Sequence, residues 1–396
     1  MWSEVSDRPG QGDAEGSGTA GRTPGRPTYA EVDLDAIADN LQCVRRRVGA
    51  AQVYGVVKAD AYGHGLVRVA TQLTDSGVDG ICVALAEEGF RLRDAGLEVP
   101  ILVLNGAYGA RHADMLRLGL TPVVHDVGHV RAFAAAGAGM PEGSVPVHLK
   151  IDTGMSRLGV QPRELAPFLD LIEQAPVLRI EGVMTHLSSA DMGPDVTSGQ
   201  LAAFEAALKL IRARGHRPAM VHAANSAGTY AQTAAHYDMV RVGLALYGVE
   251  PMAGADGSLR PSMRVTSEVI AVRTLSVGDS VGYGQAWTAS RPSRVATVPI
   301  GYGDGLLRAA SNRGAMLVRG SRCPIVGRVS MDLTSLDVTD VADVGVGDEV
   351  VVLGSQGEAH IGAEAIAEAC DTIAYEVLTN LSARVPRRYR GGSATH

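Results

Sequence analysis

Lys58 stands at the end of the apolar run Val53-Tyr54-Gly55-Val56-Val57 and is followed by Ala59-Asp60-Ala61-Tyr62-Gly63-His64-Gly65. An amine at the end of a buried strand loses hydration, which lowers its pKa and favours the neutral form that a Schiff base or a general base needs. The same position suits equally a lysine whose stem packs along the surface while its ammonium reaches water. Three further polar positions end apolar runs: His186, the pair Asn225 and Ser226, and Arg241 with Gly243. Each has an ordinary reading too: a satisfied core imidazole, a cap of the following helix and a structural ion-pair partner, respectively. What unites them is position, because phosphate groups in closed α/β barrels bind at the loops after the seventh and eighth strands. A hydroxyl at Ser226 and the backbone at Gly243 and Leu244 would supply such a cradle. Neither a Walker loop nor a dinucleotide fingerprint competes with it, since Gly63-His64-Gly65 lacks the required spacing.

The elements that must hold these residues follow from the apolar pattern. From about residue 52, short Val/Ile/Leu-rich runs alternate with longer Ala/Leu/Arg segments of helical period, as expected of βα units around a buried parallel sheet. The runs predict strands at Val53–Lys58, Gly80–Leu85, Ile101–Leu104, Pro122–His125, Val145–Asp152, Leu178–Thr185, Ala219–Ala223 and Met239–Gly243. Eight strands favour an α/β fold of the (β/α)8 barrel type, with a doubly wound open sheet as the alternative. After Met263 the texture changes to alternating Val-rich runs, such as Arg264–Leu275 and Glu349–Leu353, punctuated by Gly-Asp turns, which predicts a mostly-β second domain. The predicted organisation is a disordered tail over 1–27, a barrel over 28–262 and a C-terminal mostly-β domain over 263–396, joined by the linker Pro251–Arg260.

Composition narrows the function classes. A formal charge of -7 over 396 residues argues against nucleic acid or an anionic membrane as partner. No stretch reaches the roughly 20 apolar residues that cross a bilayer, and the first 27 residues lack a signal-peptide core. Cys43, Cys82, Cys323 and Cys370 are far apart and lack zinc-type spacing with histidine, so neither disulfides nor a metal is expected, and the cytoplasm is the expected compartment.

The segment Val57-Lys58-Ala59-Asp60-Ala61-Tyr62-Gly63-His64-Gly65 resembles the cofactor-lysine signature of the alanine racemases. The resemblance extends through His148–Gly159, Thr185-His186, His222–Ala227 and Arg241-Val242-Gly243. In the second domain it continues through Gly282-Tyr283-Gly284, Gly301–Gly305, Gly327–Asp332 and Arg384-Val385-Pro386-Arg387. It implies a pyridoxal 5'-phosphate enzyme that interconverts L- and D-alanine for peptidoglycan, with a barrel plus β domain and a homodimer whose active sites are shared between chains. Lys58 would carry the cofactor and act as one base, and Tyr283 from the other subunit would act as the second. Two groups flanking a planar centre suit a reaction that removes a proton from one face and returns it on the other. By the same resemblance Arg241 would face the pyridine nitrogen, His186 would orient the phenol, and Tyr62, Asn225, Ser226, Gly243 and Leu244 would hold the cofactor. Arg157, Met331 and Asp332 would bind substrate, Lys150 matches a lysine that is often carbamylated, and Asp191, Tyr302, Arg308 and Arg328 would line the entrance.

Two departures accompany the match. Ala383 stands where the family often has a tyrosine beside the phosphate-binding tyrosine, and Ser330 replaces a common cysteine. The extra room at Ala383 leaves a racemase of serine or broader specificity as an alternative. A barrel-type amino-acid decarboxylase shares the strand-end lysine, but Tyr283 and Ser330-Met331-Asp332 argue against it, and a non-enzymatic cofactor-binding protein would need no opposing base.

Overall fold

The computed structural model describes residues 25–252 and 257–392. Most of the predicted tail therefore lies outside the described residues, as do residues 253–256 of the predicted linker. The tail's last residues are engaged, however: Arg26 donates to the fully buried carboxylate of Asp304 at 2.7 Å and to the Arg384 carbonyl at 2.9 Å.

Strand β1 (Tyr29–Asp33) precedes eight parallel strands: β2 (Gln52–Val56), β3 (Gly80–Val83), β4 (Ile101–Val103), β5 (Leu120–Val124), β6 (Val145–Lys150), β7 (Leu178–Met184), β8 (Met220–His222) and β9 (Met239–Val242). They pair in the order β8-β7-β6-β5-β4-β3-β2-β9. Between β8 and β9 the Asp238 N–H donates to the Val221 carbonyl and the Arg241 N–H to the Ala224 carbonyl, so the sheet nearly closes on itself. This is the barrel, and the open-sheet alternative is set aside. All eight predicted strands exist, but most end one or two residues earlier than the apolar runs do. The backbone leaves the ladder just before Lys58, His186 and Gly243, which frees those residues to turn toward the barrel mouth.

The second domain holds β10 (Met263–Glu268), β11 (Ala271–Leu275), β12 (Ser280–Val281), β13 (Trp287–Thr288), β14 (Ser293–Val298), β15 (Ala315–Val318), β16 (Ser321–Pro324), β17 (Thr334–Asp337), β18 (Glu349–Gln356), β19 (Ala359–Ile361) and β20 (Arg387–Arg390). The alternating run Arg264–Leu275 forms two strands in different sheets, β10 in the larger and β11 with β14 and β17. The first strand also departs from the predicted boundary: β1 lies between β10 and β20 in the β-domain sheet. The chain thus enters through the second domain and crosses to the barrel by the helix Leu34–Val48, capped by Asp33, whose carboxylate accepts from the Ala36 N–H at 2.9 Å.

Candidate active site

The segment after β2 explains why its residues are so specified. Ala59, Asp60, Ala61 and Tyr62 all have φ near +54°, a left-handed turn that L-residues avoid. Several contacts hold it. The buried His64 ring sits 2.9 Å from the Tyr62 carbonyl through Nδ1 and 3.0 Å from the Ser262 hydroxyl through Nε2. Asp60 accepts from the Leu66 N–H at 3.0 Å, and Glu88 accepts from the Ala59 N–H at 2.7 Å and the Ala84 N–H at 2.9 Å. Arg387 of the β domain donates to the Gly63 carbonyl at 2.9 Å. Gly65 is required by close approach, because a Cβ there would stand 1.9 Å from the Tyr389 hydroxyl. The turn fixes the backbone on either side of Lys58 and aims Tyr62 across the barrel mouth.

Tyr62 meets the predicted cradle. Its hydroxyl lies against Gly243, where a Cβ would come within 2.4 Å of it. Ser226 Oγ accepts from the Gly243 N–H at 3.0 Å and from the Ala245 N–H at 3.4 Å. Ser226 is not the cap of its helix; Asn225 is, accepting from the Gly228 N–H at 2.9 Å. Leu244 starts the 3-10 turn that follows Gly243.

Arg241 is buried and makes no ion pair among the described residues. It contacts His222 Nδ1 at 2.8 Å, donates to the Thr185 and Ala223 carbonyls at 2.9 and 3.0 Å, and lies 3.4 Å from His186 Nδ1. Burial lowers its pKa to about 10. His148, buried, adds a 2.8 Å contact to His222, extending the chain of rings inward from Arg241. Burial first and then Arg241 hold His222 and His186 well below the ordinary histidine pKa, so both rings are neutral at pH 7.

The half-buried Lys58 has its pKa lowered, first by burial and then by Arg157. Lys150, buried at the end of β6, is pushed down to about 8 by burial and by Arg241 and Arg157. Arg157 rides on a loop pinned by Asp152, whose Oδ1 accepts from the N–H groups of Gly154, Met155 and Ser156 at 3.0 to 3.1 Å. The reading of Arg241 as an ion-pair partner is thereby set aside among the described residues. The barrel mouth gathers four cationic side chains around neutral histidines.

The remaining predicted residues are exposed. Tyr283 is 73% exposed and Met331 53%, both on the β domain, with Tyr302, Arg308, Arg328 and Asp332 also exposed. Tyr283 shares its loop's surroundings with Arg328, and Asp332 pairs with Arg384 at 2.6 Å. Asp191 is exposed near Tyr375. Ala383 is exposed, and the ring that packs on Tyr62 from the β domain is that of Tyr375, with centroids 5.8 Å apart. Tyr375, Glu88 and His222 escaped the residue-level reading. Nothing in their local sequence marks them, although His222 stood inside a quoted motif.

The profile of the alanine racemase N-terminal domain matches residues 32–251 and that of the alanine racemase C-terminal domain residues 262–389. The chain belongs to the alanine racemase family. Alanine racemase of Sorangium cellulosum is 48% identical over 376 residues, covering 92% of this chain and 99% of that protein. The crystal structure of alanine racemase from Streptomyces lavendulae, a D-cycloserine producer, superposes with a TM-score of 0.89 at 34% identity, covering 94% of this chain and 99% of that one. That of Bartonella henselae, with covalently bound pyridoxal phosphate, has a TM-score of 0.85 at 31% identity, covering 93% and 100%. Membership in the alanine racemase family makes the chain an enzyme of the isomerase class.

Proposed function

We propose that this chain interconverts L- and D-alanine with pyridoxal 5'-phosphate held at the barrel mouth, as a homodimer in the cytoplasm, and that its D-alanine serves peptidoglycan. The observation that carries this reading is the gathering of Lys58, Lys150, Arg157 and Arg241 around neutral His186 beside the Ser226–Gly243 cradle. The site suits the cofactor's chemistry. Tyr62 Oη and the backbone at Gly243 and Leu244 converge where a side chain at 243 would collide, leaving room for phosphate oxygens, and the unbalanced positive charge suits a phosphate and a carboxylate together. When bound, pyridoxal phosphate supplies an electron sink for the pair left on the substrate α-carbon.

Lys58 Nζ, its pKa lowered by burial and Arg157, is the group that takes or returns the α-proton on one face. Tyr283 Oη of the partner subunit serves the other. Support for this comes from its exposure, with that of Met331, on the β domain, where a partner chain can reach both. Arg241, held by two carbonyls and His222, would hold the ring of the cofactor with a guanidinium that has no easily shared proton, which would limit charge accumulation there and disfavour transamination. Arg157 holds the substrate carboxylate. Lys150 is suited to carbamylation because its depressed pKa keeps part of it neutral near pH 8. The resulting anion would balance Arg157.

Two observations favour the cytoplasm: all four cysteines are unpaired thiols, and among the described residues no helix is long and apolar enough to cross a membrane. The deciding experiment is a chiral assay of the purified, cofactor-loaded enzyme over a panel of amino acids that includes alanine, serine and the basic amino acids. Interconversion of the alanine enantiomers without loss of carbon dioxide is expected. Turnover of serine in preference to alanine, release of carbon dioxide, or no turnover of any amino acid would each overturn the proposal.

A further inference from the structure

His125, Asp126 and His129 form a group that the proposed racemisation leaves unused. His125 follows directly on β5, Asp126 caps the helix Val127–Ala136, and His129 lies in that helix's first turn. One ligand atom from each lies within 4.8 Å of the other two, and no other group of this kind occurs among the described residues. Asp126 divides its two oxygens. Oδ1 accepts from the His129 N–H at 2.9 Å, which fixes the carboxylate, and Oδ2 lies 3.2 Å from His129 Nδ1 and 3.5 Å from His125 Nδ1. The two separations from Oδ2 match the edges of a tetrahedral zinc site, about 3.3 Å for metal-ligand bonds of about 2.0 to 2.1 Å.

Burial makes the arrangement costly without a partner. His129 is 8% exposed, and its Nδ1, although 3.2 Å from Asp126 Oδ2, makes no hydrogen bond; the His125 side chain is 11% exposed. A buried ring nitrogen that makes no hydrogen bond forfeits the hydration it had in the unfolded chain, and so calls for an explanation. A helix cap alone explains Asp126 but not the unbonded His129 Nδ1. Packing confirms that the rings are seated rather than loose. Their centroids are 4.5 Å apart, and Gly106 at φ +76° presses on His129 so closely that a Cβ there would stand 2.3 Å from its Cε1.

We infer that His125, Asp126 and His129 bind one divalent transition-metal ion of the zinc class at the barrel rim. Two imidazoles and a carboxylate select such an ion over magnesium or calcium, which prefer oxygen alone. A cavity of about 350 Å³ adjoins His125 and Asp126 and is walled by Gly159, Val160 and Glu164 on its far side. It gives the ion a way in and room for a fourth ligand from solvent. Gly159 and Val160 continue the loop that carries Arg157, so the ion would clamp the rim of β5 next to the substrate-carboxylate loop.

The test uses the full chain without an affinity tag, freed of metal with a chelator and dialysed. Cobalt(II) is titrated in while its visible d–d absorption is followed, and zinc(II) binding is measured by calorimetry. One equivalent per chain should saturate both signals, with the intense cobalt spectrum of a tetrahedral nitrogen-oxygen site, and zinc should raise the unfolding midpoint. Asp126→Asn keeps a residue that caps helices as well as aspartate does, so it should fold normally while weakening zinc by at least about 10-fold. His129→Ala should abolish the cobalt spectrum. Absence of saturable binding to the natural chain, or zinc affinity unchanged in Asp126→Asn, overturns the assignment, and the latter result decides it even where His129→Ala does not fold.

Discussion

Gly243→Ala places one methyl group where the proposed phosphate cradle has no room for it. The added Cβ would lie 2.4 Å from Tyr62 Oη and 3.0 Å from its Cζ, about 1 Å inside an ordinary contact at the hydroxyl. Tyr62 cannot easily retreat, because its ring stacks on Tyr247 at 4.8 Å and meets Tyr375 at 5.8 Å. Overpacking of a well-filled site costs about 1–3 kcal/mol. If that cost falls on the cofactor-bound state, in which the hydroxyl must stay aimed at the phosphate, the cofactor Kd rises by roughly 5- to 150-fold. Tyr62→Phe alone removes one hydrogen bond to a charged acceptor, about 1.5–3 kcal/mol. In the double variant the methyl faces only a ring edge, so the combined loss should be smaller than the sum of the two. The assay is titration of pyridoxal phosphate into stripped enzyme, read by its absorbance, for all four members of the cycle. An unchanged Kd in Gly243→Ala, or strictly additive losses, would refute the steric argument and the placement of Tyr62 against the phosphate.

Tyr283→Phe should slow racemisation in both directions while Lys58 continues to exchange the α-proton of the D enantiomer. Solvent-deuterium exchange from each enantiomer reads this, and equal exchange rates in variant and natural enzyme would remove Tyr283 from the mechanism. Stability should fall in acid between about pH 6.5 and about pH 3. Burial lowers the pKa of His64 to about 4 and that of His148 to about 3, so the unfolded chain binds protons in this range that the folded chain refuses. His64 by itself removes about 3 kcal/mol by pH 4, and urea unfolding that is no easier at pH 5 than at pH 7 would contradict it. Ala383→Tyr should raise the alanine-to-serine ratio of kcat/KM, within the about 1–3 kcal/mol that a pocket discriminates. A ratio that does not move would assign the packing role at the mouth to Tyr375.

Periodicity and strand-end polarity made the barrel legible in the sequence, because a buried parallel strand must be apolar along its length and its first polar residue marks where it leaves the ladder. That is why Lys58, His186 and Gly243 could be singled out from one chain. Alternation and Gly-Asp turns gave the β domain its class, but not its strand partners. The pairing of β1 with β10 and β20 joins residues more than 200 positions apart, and nothing local to Tyr29–Asp33 encodes it. The charge state of the site is likewise a tertiary property. Lys150 and His186 are ordinary residues until the fold buries them beside Arg241, and only then does desolvation in a shared positive field lower their pKa values. Ser226 shows the same division on a smaller scale: its type and position suggested either a helix cap or a phosphate contact. The folded chain gave the cap to Asn225 and turned Ser226 to the backbone of Gly243, because strands β8 and β9 bring the two loops together.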